Sequence, residues 1–123
     1  MAFQASINGH RVEMDSPEAG EGSGPSPKRL MLASLAGCTG VDIVSILTKM
    51  KVVFSDLEIR VEGELSEEHP KIYKNVIIVY SVKMQETDRN KMEKAVKLSQ
   101  EKYCGVFAMF KAFATIETRI IYL

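Results

Sequence analysis

Apolar and polar residues alternate on both sides of Asn8-Gly9, with Phe3, Ala5 and Ile7 before the pair and Val12 and Met14 after it. Asn-Gly tolerates the positive φ that both central residues of a tight turn need, so the pattern predicts an opening β-hairpin. Residues 15–27 then lose all periodicity to Gly, Ser and Pro, and read as a flexible loop within a single domain. From 27 to 51 the pattern becomes a helix that is apolar on every side, carrying Leu30, Leu35, Val41, Ile43, Val44 and Leu47 among others. A helix without a polar face belongs in a core. Pro27 suits the first turn, where its missing N–H costs nothing, and Ser26 stands at the capping position.

Strands are expected next. Residues 56–65 place Leu57, Ile59, Val61 and Leu65 on one face and Asp56, Glu58, Arg60, Glu62 and Glu64 on the other, as a sheet with one wet face demands. Residues 76–83 form a β-branched and aromatic second strand, joined to the first by the polar loop 66–71. Asp88 is positioned to cap a helix whose apolar positions Met92, Ala95, Val96, Ser99 and Tyr103 keep the 3.6 period. Gly105 is expected to end or bend that helix. A short helix at 106–112 and a strand at 115–123 complete an α+β fold.

Composition narrows the function. The 123 residues carry 16 Lys+Arg and 16 Asp+Glu, a formal net charge of zero. A neutral surface offers little to a phosphate backbone or an anionic membrane, so neither nucleic acid nor membrane is an expected partner. The N-terminus has neither a basic region nor a long apolar run, which makes the reducing cytoplasm the expected compartment. A chain of this length buries roughly two-thirds of its unfolded surface and needs no disulfide staple.

The two cysteines are therefore spare. Cys38 lies in Ala36-Gly37-Cys38-Thr39-Gly40, inside the apolar helix, and Cys104 ends the amphipathic one. An interior glycine costs on the order of 1 kcal/mol relative to alanine, so two of them beside a thiol predict a close approach by a neighbour. No Cys-x-x-Cys occurs, and His10 and His69 stand without a ligand pattern, so no metal or cofactor site is expected. Two readings stay open: buried thiols acting as small hydrophobes, or a redox pair brought together by folding.

Three blocks in order carry a family resemblance: residues 32–50 around Gly37-Cys38-Thr39-Gly40-Val41-Asp42, then Glu67-Glu68-His69-Pro70, then Leu98-Ser99-Gln100-Glu101-Lys102-Tyr103-Cys104. They resemble the OsmC-like branch of the OsmC/Ohr family over nearly the whole chain from Gly9. The resemblance implies a small cytoplasmic homodimer whose central apolar helices are wrapped by antiparallel sheets from both subunits. It also implies a thiol peroxidase of oxidative-stress defence that reduces organic hydroperoxides to alcohols, without a cofactor and with a lipoyl-type dithiol as reductant. Cys38 matches the attacking cysteine and Cys104 the resolving one. A thiolate attacks the O–O bond, becomes a sulfenic acid and condenses with the second thiol.

One position departs from the family. Its peroxidases hold an activating arginine with a glutamate where this chain has Lys28 and Arg29. Arg11 and Arg29 are the candidate cations, and the alternative is a binding or sensing protein on the same fold with weakened peroxidase activity. Asp42, one turn after Cys38, would oppose thiolate formation if unpaired, and is expected to hold a cation or a hydroxyl. Glu101 and Lys102 read as an exposed face.

Overall fold

The computed structural model describes residues 1–16 and 22–123. The chain forms two compact units, Met1–Ala33 and Ser34–Leu123. In the first, β1 (Ala2–Ile7) and β2 (His10–Asp15) pair antiparallel. Asn8 and Gly9 turn between them with φ of 49° and 82°, the left-handed geometry for which Asn-Gly is suited. Asp15 gathers the hairpin's ends, accepting from the Ser23 N–H at 2.9 Å and the Met1 ammonium at 3.0 Å. These bonds, the Ser23 amide foremost, hold its carboxyl down at about 2. Of the loop expected to be flexible at 15–27, residues 17–21 lie outside the described residues.

Helix α1 (Pro27–Lys49) begins as expected, with Ser26 Oγ accepting from the Arg29 N–H at 3.3 Å. Its length and composition would suffice to cross a membrane. Leu35, Thr39, Ile43 and Leu47, at every fourth position, are nevertheless buried within the protein. That stripe covers one side only. Val41 is 71% exposed and Val44 44%, so a single chain leaves apolar helix surface in water.

In the second unit β3 (Phe54–Leu65), β4 (Tyr73–Met84) and β5 (Thr115–Tyr122) form a sheet in that order. The central strand β4 turns Val76, Ile78, Tyr80 and Val82 to a fully covered face. Ile59 of β3 and Ile120 of β5 both stand opposite Tyr80, and so share that face. β3 and β4 are antiparallel, but β5 joins β4 in parallel, which corrects the wholly antiparallel arrangement expected. A parallel neighbour needs a long crossover, and residues 85–114, with helices α2 (Arg89–Leu98) and α3 (Gly105–Lys111), supply it.

Two details of the crossover differ from expectation. Asp88 occupies the N-cap of α2 without a side-chain cap bond, because the 3-10 turn Glu86–Asp88 holds its backbone at φ −99° and ψ −1°. A capping side chain needs extended backbone to reach over the first N–H groups. Asp88 pairs with Lys91 Nζ at 3.5 Å instead. The second difference follows Leu98, where the helix widens into a π turn, Ser99–Tyr103. An inserted residue rotates everything after it by about 100°. Tyr103 is thereby 54% exposed rather than buried, and Cys104 faces inward. The break falls on Cys104, extended at φ −83° and ψ 98°, while Gly105 opens α3.

Candidate functional site: a buried thiol pair

The π turn is what delivers Cys104 to Cys38. Cys104 is buried, its N–H bonded to Ser99 O at 2.7 Å and its Sγ accepting from the Phe107 N–H at 3.3 Å as the cap of α3. Cys38 on α1 is half-buried, and both thiols are free. The two side chains are hydrogen-bonding neighbours. Burial first, then that bond to Cys38, push the Cys104 thiol up to about 11, against the opposing pull of the Phe107 amide. Placement on separate sides of the core, which the sequence left open, is excluded.

A stability test follows from that raised value. The unfolded chain ionises Cys104 near the free-thiol value of about 8.5, whereas the folded chain keeps the proton until about 11. The folded state therefore binds more protons in between, and its stability falls as pH rises through that window. Thermal melts of reduced protein from pH 8 to 11 are expected to decline more steeply for wild type than for Cys104→Ser. Parallel curves would contradict the assignment.

Beside the thiols runs a chain of polar groups across the core. Ser99 Oγ donates to Asp42 Oδ2 at 2.9 Å. Its single proton being used, Thr39 Oγ1 donates to Ser99 at 2.7 Å, and Tyr80 Oη donates to Thr39 at 2.8 Å. Gln100 Nε2 closes the series, reaching Tyr80 Oη at 3.3 Å and Thr118 Oγ1 at 2.9 Å. Burial raises the Tyr80 hydroxyl, with Thr39 and Gln100 opposing and Cys104 and Asp42 adding. Asp42 thus holds a hydroxyl, as expected. Thr39, Tyr80 and Ser99 went unnoticed as site residues, although one signal existed: Thr39 is the polar member of the Leu35, Ile43, Leu47 stripe.

The glycines flanking Cys38 divide in role. A Cβ on Gly40 would stand 3.1 Å from Ile59 Cδ1, so a close approach is real there, whereas on Gly37 it would meet nothing within 4 Å. An open cavity of about 300 Å³ lies further along α1, with Ile46, Met50, Leu98 and Tyr103 as apolar walls and Asp42 and Lys49 as polar ones. Arg11 and Arg29 are exposed and belong to the Met1–Ala33 unit. Glu101 and Lys102 are exposed as expected, the Lys102 ammonium lying 5.3 Å from the Tyr103 ring centre.

Comparison with known proteins agrees with this architecture. The sequence family described as OsmC-like protein matches residues 20–119. Protein YhfA of Escherichia coli K12 is 32% identical over 111 residues, covering 90% of this chain and 81% of its own. A hypothetical protein from Aquifex aeolicus superposes with a TM-score of 0.86 at 31% identity, over 99% of this chain and 87% of the other. At the level of fold alone, the organic hydroperoxide resistance protein OsmC of Legionella pneumophila superposes with a TM-score of 0.66 at 20% identity, over 98% and 95% of the two chains.

Proposed function

The chain belongs to the OsmC-like protein family, and from that membership we propose that it is a thiol peroxidase reducing organic hydroperoxides to alcohols, with Cys38 attacking and Cys104 resolving. The observation that carries this reading is the pair of free thiols within hydrogen-bonding reach of each other. Cys38 sulfur takes the terminal peroxide oxygen, the O–O bond breaks, and the alkoxide leaves as the alcohol once protonated. Cys104 then displaces hydroxide from the sulfenic acid, giving a disulfide and water. Half-buried Cys38 is the accessible member and capped, buried Cys104 the sheltered one, which suits attack followed by resolution. A dithiol of the lipoyl type in a reducing cytoplasm would restore both thiols. The test is stoichiometric: one equivalent of cumene hydroperoxide, rapidly mixed with reduced protein, should remove two thiols and form one intramolecular disulfide. Loss of peroxide without loss of thiols would overturn the reading.

A homodimer belongs to the same proposal. The uncovered side of α1, with Gly37, Val41 and Val44, offers small and apolar residues at helical spacing for a second copy. Val41→Glu changes a side chain that is 71% exposed in one chain. It is expected to convert a dimer into a monomer in light-scattering measurements while the fold survives. A wild-type monomer, or a Val41→Glu dimer, would refute this arrangement.

The second reading, a binding or sensing protein with weakened peroxidase activity, is favoured by Lys28 and Arg29 at the family's glutamate position. A large rise in peroxidase rate in Arg29→Glu would support it. Ordinary family rates in the unaltered protein would eliminate it.

A further inference from the structure

A π turn is a rare form of helix, seen mostly as a single turn and often at functional sites. The one at Ser99–Tyr103 is defined by the Cys104 N–H, which bonds to Ser99 O, five residues back, at 2.7 Å. In an α-helical register the same N–H would bond four residues back, to Gln100, and Cys104 would be rotated by about 100° about the helix axis. Ser99 is fully buried, and its hydroxyl is held from α1 at two points. Thr39 Oγ1 donates to it at 2.7 Å, and Asp42 Oδ2 accepts from it at 2.9 Å. Thr39 directly follows Cys38 and Asp42 stands one turn beyond it, so both anchors belong to the stretch of helix that carries the first thiol. The carbonyl and the hydroxyl of one residue thus join the backbone of Cys104 to the part of α1 around Cys38. On its other side Cys104 is fixed again, its Sγ accepting from the Phe107 N–H at 3.3 Å.

From these bonds we infer that Ser99 is the positioning residue of the thiol pair, locking the π register that holds Cys104 against Cys38. The margin for error is small. A rotation of about 100° on a helix of about 2.3 Å radius moves a Cα by about 3.5 Å. The Cα separations that permit a disulfide span about 4.4–6.8 Å, a window of only about 2.4 Å. A slip to the α register is larger than that window, and in a reacting pair a misplacement of about 1 Å already costs about a hundredfold. Serine suits the place because one small hydroxyl both accepts and donates. Alanine would leave Thr39 and Asp42 with nothing to hold, and the π turn without its anchor.

The inference deepens the peroxidase reading, in which Cys104 must reach the Cys38 sulfenic acid, but the geometry it describes is tested without peroxide. Glutathione disulfide is the probe. Cys38 attacks it and releases one glutathione, and Cys104 then attacks the Cys38 sulfur and releases the second. Two protein thiols are oxidised and one glutathione disulfide is reduced to two thiols. At equilibrium in a defined glutathione buffer, alkylation and mass spectrometry give the fraction of protein carrying the internal disulfide, and from it the effective concentration of one thiol at the other. Ser99→Ala is expected to lower that effective concentration by about a hundredfold. Ser99→Thr keeps the hydroxyl and should recover most of it. Val82→Ala, a change at a fully buried β4 residue that takes part in none of these bonds, should lower stability and leave the value within about threefold of wild type. Asp42 is only partly buried, so a second pair of variants decides the matter should Ser99→Ala fail to fold. Asp42→Ala loses one anchor and should lower the value by about tenfold, and Asp42→Asn, which keeps an oxygen for the Ser99 hydroxyl, should restore it. With cumene hydroperoxide, sulfenic acid trapped by dimedone should persist about a hundredfold longer in Ser99→Ala than in wild type. A wild-type effective concentration in Ser99→Ala or in Asp42→Ala overturns the inference, as does an equal fall in Val82→Ala, which marks a general loosening of the core. Absence of sulfenic acid in wild type and variant alike would sink the peroxidase reading alone, since the glutathione equilibrium still decides the role of Ser99.

Discussion

Cys38→Ser is expected to lower the turnover of cumene hydroperoxide by on the order of a thousandfold or more, the scale of losing a covalent nucleophile. The serine hydroxyl fits the same space but does not ionise near neutrality, so no attack on the O–O bond takes place. Cys104→Ser should behave differently. It leaves the attacking thiol intact, so the first equivalent of peroxide is still consumed and the sulfenic acid persists. Dimedone should then label Cys104→Ser stoichiometrically, wild type weakly and Cys38→Ser not at all. The contrast depends on the two thiols being neighbours and on Cys104 being the buried member. Equal slow peroxide loss in wild type and Cys38→Ser would end the peroxidase reading. Labelling of Cys38→Ser in place of Cys104→Ser would reverse the two roles.

Thr39→Val carries the largest expected cost in stability. The side chains are nearly isosteric, but Thr39 Oγ1 is the joint between Ser99 at 2.7 Å and Tyr80 at 2.8 Å, and all three residues are fully buried. Each buried hydroxyl left without its partner costs about 1–3 kcal/mol. Two are affected, although Ser99 keeps Asp42 and Tyr80 keeps Gln100, so a loss of about 2–4 kcal/mol is expected from urea unfolding. Thr39→Ser preserves the joint and should lie within about 1 kcal/mol of wild type. Combining Thr39→Val with Tyr80→Phe should cost less than the sum, since the second change removes a hydroxyl that the first had stranded. Strict additivity would show that the chain of hydroxyls does not act as a unit.

Much of the fold was readable from local pattern, and the failures cluster at one place. The hairpin turn followed from Asn8-Gly9, the start of α1 from Ser26-Pro27, and the strand β3 from the alternation of Leu57, Ile59 and Val61 with charged residues. Each of these depends on residues within a few positions of one another. The misplaced details were the capping by Asp88, the burial of Tyr103, the break expected at Gly105 and the direction of β5. The first depended on a preceding 3-10 turn and the next two on one π turn, both of which shift the chain without leaving a pattern mark. Strand direction depended on where a thirty-residue crossover returns the chain.

The same division runs through the site. By itself the sequence determined that two thiols stand in OsmC-like motifs, one within an apolar helix and one at the end of an amphipathic helix, with a carboxylate one helical turn after the first. These are statements about neighbours along the chain, and helical spacing is enough to make them. Only the tertiary structure decided that Cys104 turns inward to meet Cys38, because a 3.6-residue period continued through Tyr103 would have faced Tyr103 to the core. Only it decided that Asp42, Ser99, Thr39 and Tyr80 form one directed chain of hydrogen bonds, since these residues come from a helix, a π turn and a strand. A buried polar group must find a partner wherever packing supplies one, and packing brings together residues that the sequence keeps far apart.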